Sequence, residues 1–236
     1  MNFTLYNYAR QAVNWLLPKR CLQCQSILGD HEGSVCKPCY LDLPFQYRYC
    51  SRCGQNYSAK TDYCGHCLIS QPTFDHCFCP FKYQSSIKDL ICKLKYRQRP
   101  ELAKAAASLL MGELIESSFE RPDALIAVPM HISRLRERGY NHSTLIAQHL
   151  SKTLKIPLLT GSIGKSKATP PQAQQSLKQR KKNLAGSFSI KKNIYAKNVA
   201  IIDDVVTTGS TAEEIAKILK INGVDYVQVW GIAHTL

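Results

Sequence analysis

Two adjacent carboxylates, Asp203 and Asp204, follow the apolar run Val199-Ala-Ile-Ile, and Thr207-Thr208-Gly209-Ser210-Thr211 comes just after them. Neighbouring carboxylates accept hydrogen bonds from a vicinal diol and balance a divalent cation. A turn of small hydroxylated residues that opens a helix offers backbone N–H groups and hydroxyls to a phosphate. Gly209 lets the backbone come close to such a ligand. The combination describes a sugar-phosphate site, with phosphate in the turn and ribose hydroxyls on the acids. Helix capping explains Ser210 but not two consecutive acids behind a buried strand. No G-K-[ST] follows, so this is not a Walker loop.

A second chemistry lies in the cysteines. Of 11, eight form four C-x-x-C pairs: Cys21/Cys24, Cys36/Cys39, Cys50/Cys53 and Cys64/Cys67. A C-x-x-C turn aims two thiolates at one point, and two turns complete a tetrahedron that suits zinc. Pairing in chain order gives two four-thiolate sites; interleaving 21/24 with 50/53 is the alternative. Four protein ligands per ion make each site structural. Four regular pairs argue against a redox dithiol, and the spacings differ from iron–sulfur runs. Cys77, Cys79 and Cys92 fall outside the pattern.

The net charge is +14, from 31 Lys+Arg and 17 Asp+Glu. It gathers in three clusters: Lys93, Lys95, Arg97 and Arg99 around Tyr96; Arg134, Arg136 and Arg138 beside Tyr140; and an acid-free stretch over 165–200 that includes Lys165, Lys167, Lys178, Arg180, Lys181 and Lys182. Cations interleaved with aromatics suit single-stranded nucleic acid, since charges follow phosphates and rings stack on bases. A solvated basic surface is the plainer alternative.

These groups need a scaffold. At 236 residues, 44% hydrophobic and 20% charged, the chain is globular and has one or two domains. No apolar run reaches the roughly 18 residues of a membrane span, so no integral membrane segment is expected. The odd cysteine count argues against a secreted disulfide scaffold. Residues 1–17 read as an amphipathic helix, broken too often by polar side chains for a signal peptide. Residues 18–70 are rich in Cys, Gly and Pro and need a metal staple. Helical spacing covers 101–118, 143–155 and 210–222. Strands are expected over 124–129, 198–206 and 224–233, with no clear element over 162–187. This alternation indicates βαβ units. The expected fold is α/β: a doubly wound, mainly parallel sheet over 75–236, preceded by a small zinc-ribbon module.

The phosphate motif resembles the PRPP-binding motif of type I phosphoribosyltransferases. The ordered blocks resemble the ComF family, the competence-protein-F and GntX-like proteins of bacteria. These blocks are the Cys pairs, Leu94-Lys95-Tyr96, Arg138-Gly139-Tyr140-Asn141, and Lys167-Ala-Thr169-Pro-Pro-Gln172 continuing to Arg180, Asn183 and Phe188. The resemblance spans residues 16–236. It implies ribose hydroxyls on Asp203 and Asp204, the 5′-phosphate on residues 207–211, and magnesium bound with PRPP. It also implies a pyrophosphate loop at Pro129-Met130-His131 and a flexible loop over 165–185. The family commonly has Arg where Lys165 and Lys167 stand; Lys keeps the charge and loses the bidentate fork. No catalytic residue is assigned, and no hood for reading a nucleobase is recognisable. The function implied is handling of incoming single-stranded DNA during natural transformation, at the cytoplasmic side of the membrane. An active PRPP-dependent transferase and a zinc-ribbon adaptor for a helicase-like competence partner are the alternatives.

Overall fold

The computed structural model describes residues 18–29, 33–59, 61–117, 119–167, 184 and 186–235. The helix expected over 1–17 and most of the loop over 165–185, with Lys178, Arg180, Lys181 and Lys182, lie outside them. In chain order the elements are α1 (Lys37–Leu41), α2 (Gly65–Ile69), β1 (His76–Phe78), β2 (Phe81–Lys82), α3 (Ser85–Tyr96), α4 (Leu102–Glu116) and β3 (Ala124–Ala127). They continue with α5 (Ile132–Arg138), α6 (His142–Leu154), β4 (Ile163–Lys165), β5 (Phe188–Ile190), β6 (Asn198–Val206), α7 (Ser210–Ile221) and β7 (Tyr226–His234). Among the described residues no helix is long and apolar enough to cross a membrane.

The chain divides into two compact units, Met1–Leu43 and Pro44–Leu236. The described part of the first is built on its cysteines: Cys21, Leu28 and Cys36 form a buried cluster with Val35 and Cys39 against it, and Leu43 is the other buried apolar residue. Too few apolar side chains are buried there to hold a fold without another staple.

The second unit is a parallel sheet flanked by helices, an α/β fold. Strand order is β1-β7-β6-β3, with β2 also on β7, and every pairing is parallel. The central strands β6 and β7 are rich in β-branched residues and almost wholly buried, as expected for strands covered on both faces. Period-two alternation sorts their side chains. Val199, Ile201, Val227 and Val229 share a core with Ile215, Ala216 and Leu219 of α7. The alternate side of β6 carries Asp204, which meets residues of α3 and α6.

Several elements escape sequence reading for physical reasons. β4 and β5 have three residues each and pair antiparallel across the loop they flank, so neither carries a measurable period. α5 buries no residue and has three arginines in seven positions, which reads as a charged loop. β6, by contrast, matches the strand expected over 198–206: it runs past both acids to Val206, with Asp203 in register with Gly231, so the carboxylates lie within the strand.

The second cysteine quartet belongs to the unit that holds the sheet. Ser51 O accepts from Cys77 N at 2.9 Å beside β1, and Gly54 O accepts from Gln46 Nε2 at 2.6 Å. Gly54 has φ +76°, and a Cβ there would stand 2.6 Å from Cys77 Sγ. Gly54→Ala therefore combines left-handed strain with overpacking. It should destabilise this unit by about 1–3 kcal/mol, measured by denaturant unfolding; an unchanged midpoint would show that the ribbon does not press on the sheet.

Candidate functional site

A cleft of about 380 Å³ opens at the carboxyl ends of β3 and β6, where open α/β sheets bind ligands. On one side stand Asp203, Asp204 and the turn Thr207-Thr208-Gly209-Ser210-Thr211; on another, Pro129, Met130 and His131. Lys95, Arg134, Arg138 and Lys165 also line it. Four cations and two carboxylates thus line one cavity, and one of the cations, Lys95, is bonded directly to Asp204.

The turn is shaped for an anion. Gly209 adopts φ +70° as the N-cap of α7, and Thr208 Oγ1 lies 2.6 Å from Ser210 Oγ. The following N–H groups begin a twelve-residue helix whose dipole favours negative charge at this end.

Asp204 is the most constrained of the acids. Its Oδ2 lies 2.7 Å from Lys95 Nζ and 3.2 Å from His142 Nε2. Arg138 Nη1 donates to His142 Nδ1 at 2.9 Å, which leaves the ring proton on Nε2, toward Asp204. Burial pushes the Asp204 carboxyl up, but Lys95 and His142 outweigh it and hold the group far below the usual carboxylate range. Burial would likewise lower Lys95, and Asp204 raises it instead. Asp203 goes the other way. Burial, then the charge on Asp204, push it up to about 7. Its Oδ1 accepts from Ser143 Oγ at 3.2 Å and Asp204 N at 2.9 Å. Lys165 is lowered by burial and by Arg134, with Asp203 opposing, and sits 5.5 Å from the centroid of the Phe188 ring.

The two short blocks noted in the sequence prove to be one lock. In Leu94-Lys95-Tyr96 the leucine is fully buried, the lysine pairs with Asp204, and the 70%-exposed tyrosine carries the Arg138 guanidinium 5.3 Å from its ring centroid. In Arg138-Gly139-Tyr140-Asn141, Gly139 ends α5 at φ +82° and Tyr140 OH donates to Leu94 O at 2.5 Å. Asn141 caps α6 by accepting from Ser143 N at 3.0 Å, and donates to Val128 O at 2.9 Å.

Not every candidate reaches the cleft. Lys93 pairs with Asp89 along α3 at 2.6 Å. Arg97 and Arg136 are exposed and, like Lys167, do not line it. Ser143 was missed by sequence reading, and His142 stood out there only as a flank of the expected pyrophosphate loop, a type of residue that is more often a structural hydrogen-bonding group than a base. Their signal was position: they open a helix directly after the Arg-Gly-Tyr-Asn block.

The cysteines gather in chain order, not interleaved. In each of two quartets, 21/24/36/39 and 50/53/64/67, the four sulfurs lie within 4.8 Å of one another. Measured separations of 3.6, 3.8 and 4.0 Å match the roughly 3.8 Å that a tetrahedron with 2.3 Å zinc–sulfur bonds requires. Backbone N–H groups of Cys36 and Cys64 point at the sulfurs of Cys21 and Cys50, at 3.4 and 3.2 Å. Burial pushes Cys21 up, but backbone N–H groups outweigh it and bring it down to about 6, while burial and neighbouring thiols push Cys67 up to about 12. Such crowding of thiolates suits a divalent soft-ligand cation, and both quartets fit structural zinc.

Comparison with known proteins agrees. A family described as a double zinc ribbon domain matches residues 12–68. Competence protein F of Haemophilus influenzae is 34% identical over 222 residues, covering 91% of this chain and 96% of its own. The DNA utilization protein YhgH of Escherichia coli K12 is 32% identical over 224 residues, covering 93% and 99%. The structure of Leishmania donovani UMP synthase overlaps 59% of this chain and 22% of its own at 18% identity and a TM-score of 0.32, a likeness too slight to add to the sheet order above. The chain is an α/β protein with an N-terminal double zinc ribbon. It belongs to the competence-protein-F (ComF) family.

Purified protein should carry two zinc ions per chain. Elemental analysis checks this, and one ion or none would contradict the two-quartet reading.

Proposed function

We propose that this protein binds a 5-phosphoribosyl 1-diphosphate (PRPP) ligand in the cleft and serves the use of incoming single-stranded DNA in natural transformation. One observation carries the reading: a hydroxyl-rich turn at a helix N-terminus, a carboxylate pair and four cations converge on one cavity. The turn would take the 5′-phosphate. Arg134, Arg138 and Lys165 would face the diphosphate. Asp203 would meet the ribose hydroxyls, because Asp204 is already engaged by Lys95 and His142. Hard oxygen donors on Asp203 suit magnesium, and the bound ion would balance diphosphate charge. The competence role draws support from the names of the two relatives above. Support for the DNA strand comes from the +14 net charge and from Tyr96 with its stacked Arg138 at the cleft.

The two acids give the ligand reading a pH signature. Asp203 holds its proton more tightly folded than unfolded, so folding loses stability as pH rises from the ordinary carboxylate range through 7. Cation or hydroxyl donors at Asp203 offset that loss. A ligand that needs the anion binds more weakly as pH falls below 7, by up to about tenfold per unit. Asp203→Asn should lower PRPP affinity about 10- to 100-fold, the scale of lost hydrogen bonds to a charged group. It should also remove the titration step near pH 7, as measured by calorimetry from pH 5.5 to 8.5. A variant that keeps both affinity and step would remove Asp203 from the site.

Single-stranded DNA should bind with little sequence preference and a steep salt dependence. Replacing Lys178, Arg180, Lys181 and Lys182 with Ala should lower the log K against log[salt] slope by as much as about 3, four phosphate contacts at about 0.7 each. An unchanged slope would make that cluster a solvated face.

A further inference from the structure

The second cysteine quartet is wired to the phosphate turn. Arg52 lies inside the Cys50–Cys53 knuckle, between two proposed zinc ligands. Its Nη2 donates to Pro72 O at 2.9 Å, and its Nη1 to Asp75 O at 3.1 Å and Asp75 Oδ1 at 3.4 Å. The other oxygen of Asp75 accepts from Lys220 Nζ at 2.6 Å and Val227 N at 2.8 Å. One guanidinium therefore holds both ends of the strap over residues 72–75, and the Asp75 carboxylate ties that strap to α7 and β7.

The clamped strap then reaches the candidate site. Thr73 N and Thr73 Oγ1 donate to the two oxygens of Glu213, at 2.8 and 2.7 Å. Glu213 stands in the first turn of α7, and its N–H donates to Gly209 O at 2.8 Å. Phe74 is 2% exposed, and its Cζ lies 3.3 Å from where a Cβ on Gly209 would stand. A carboxylate in this turn competes with phosphate for the positive helix end. Thr73 donates to both of its oxygens and holds it to the strap, while Lys217 Nζ, 3.6 Å from Oε1, pairs with it along the helix. Phe74 supports the left-handed Gly209 on which the turn depends.

We propose that the second zinc centre positions the phosphate turn through Arg52, Thr73, Phe74 and Glu213, so that metal at Cys50, Cys53, Cys64 and Cys67 and phosphate at residues 207–211 bind cooperatively. The choice of ligand rests on the phosphoribosyl reading; the wiring does not. A knuckle closed on metal fixes the direction of Arg52. Without metal the strap is released, and Glu213 and Gly209 lose their supports. Coupling of this kind is reciprocal, so a ligand in the turn must also steady the quartet.

Hydrogen exchange on the full-length, zinc-loaded protein tests both directions. Without ligand, Thr73→Val should speed exchange of the amides over 208–213 at least fivefold, and Thr73→Ser, which keeps the hydroxyl, should restore the native rate. Arg52→Ala should do the same as Thr73→Val. PRPP affinity should fall about 5- to 20-fold in Thr73→Val and return in Thr73→Ser. Saturating PRPP should slow exchange over 50–54 and 64–67 in the native protein and not in Thr73→Val. Native exchange over 208–213 in both Thr73→Val and Arg52→Ala would overturn the relay, as would equal exchange at the quartet with and without bound PRPP. If PRPP fails to bind the native protein, the phosphoribosyl reading falls. The ligand-free exchange rates then decide the relay alone: faster exchange in both variants supports it, and native rates overturn it.

Discussion

The ion pair between Lys95 and Asp204 organises the cleft. Asp204 is nearly inaccessible, with a side chain only 3% exposed, and Lys95 is 20% exposed. A charge placed that deep in a parallel sheet is tolerated only when paired, and removing one partner costs on the order of 3–5 kcal/mol. The carboxylate therefore dictates where α3 lies, because no other described lysine or arginine is paired with it. It also separates the two acids chemically. With Lys95 and His142 on Asp204, that carboxylate stays charged, and its charge adds to burial in pushing Asp203 up to about 7. Neighbouring acids in one strand thus acquire different states: one a permanent anion inside the protein, the other a group that titrates at the wall of the cleft.

The same pair explains why two short blocks far apart in sequence belong together. Lys95 can meet Asp204 only if the end of α3 is held over the sheet. Tyr140 does this by donating to the Leu94 carbonyl, and Arg138 by lying over Tyr96. Arg138 also sets the tautomer of His142, the second group on Asp204. Gly139 makes the turn that brings these residues to bear, and Asn141 starts the helix that carries His142 and Ser143 to the two acids. Every member of the two blocks has a structural duty around one buried carboxylate.

How much of this could be read from sequence follows from the range of the interactions. The acid pair, the hydroxyl-rich turn that opens α7 and the four C-x-x-C pairs were legible because each is a local pattern with its own geometry. The long strands β6 and β7 and the helices α4, α6 and α7 were legible through period and composition. The partner of Asp204 was not, since Lys95 lies more than a hundred residues away and looks like any lysine in a basic cluster. Its neighbour Lys93 shares that cluster and only pairs along its own helix. Charge clustering alone cannot tell a buried counter-ion from a solvated one. Three-residue strands such as β4 and β5 escape for the opposite reason: they are too short to show a period, and distant pairing creates them.

The two cysteine quartets share ligand type and spacing yet sit in different contexts. The first lies in a unit of its own, where Cys21 and Cys36 with a few apolar neighbours are the buried material. The second is part of the sheet unit, tied in through Ser51, Arg52 and Gly54. A sequence repeat suggests two equivalent ribbons, but equivalence of ligands is not equivalence of role. Gly54 makes the distinction visible: no side chain fits there because Cys77 of β1 occupies the space. Nothing in the C-x-x-C spacing predicts that contact. The ribbon that packs on the sheet shares its mechanical constraints, whereas the first quartet answers only to its own unit.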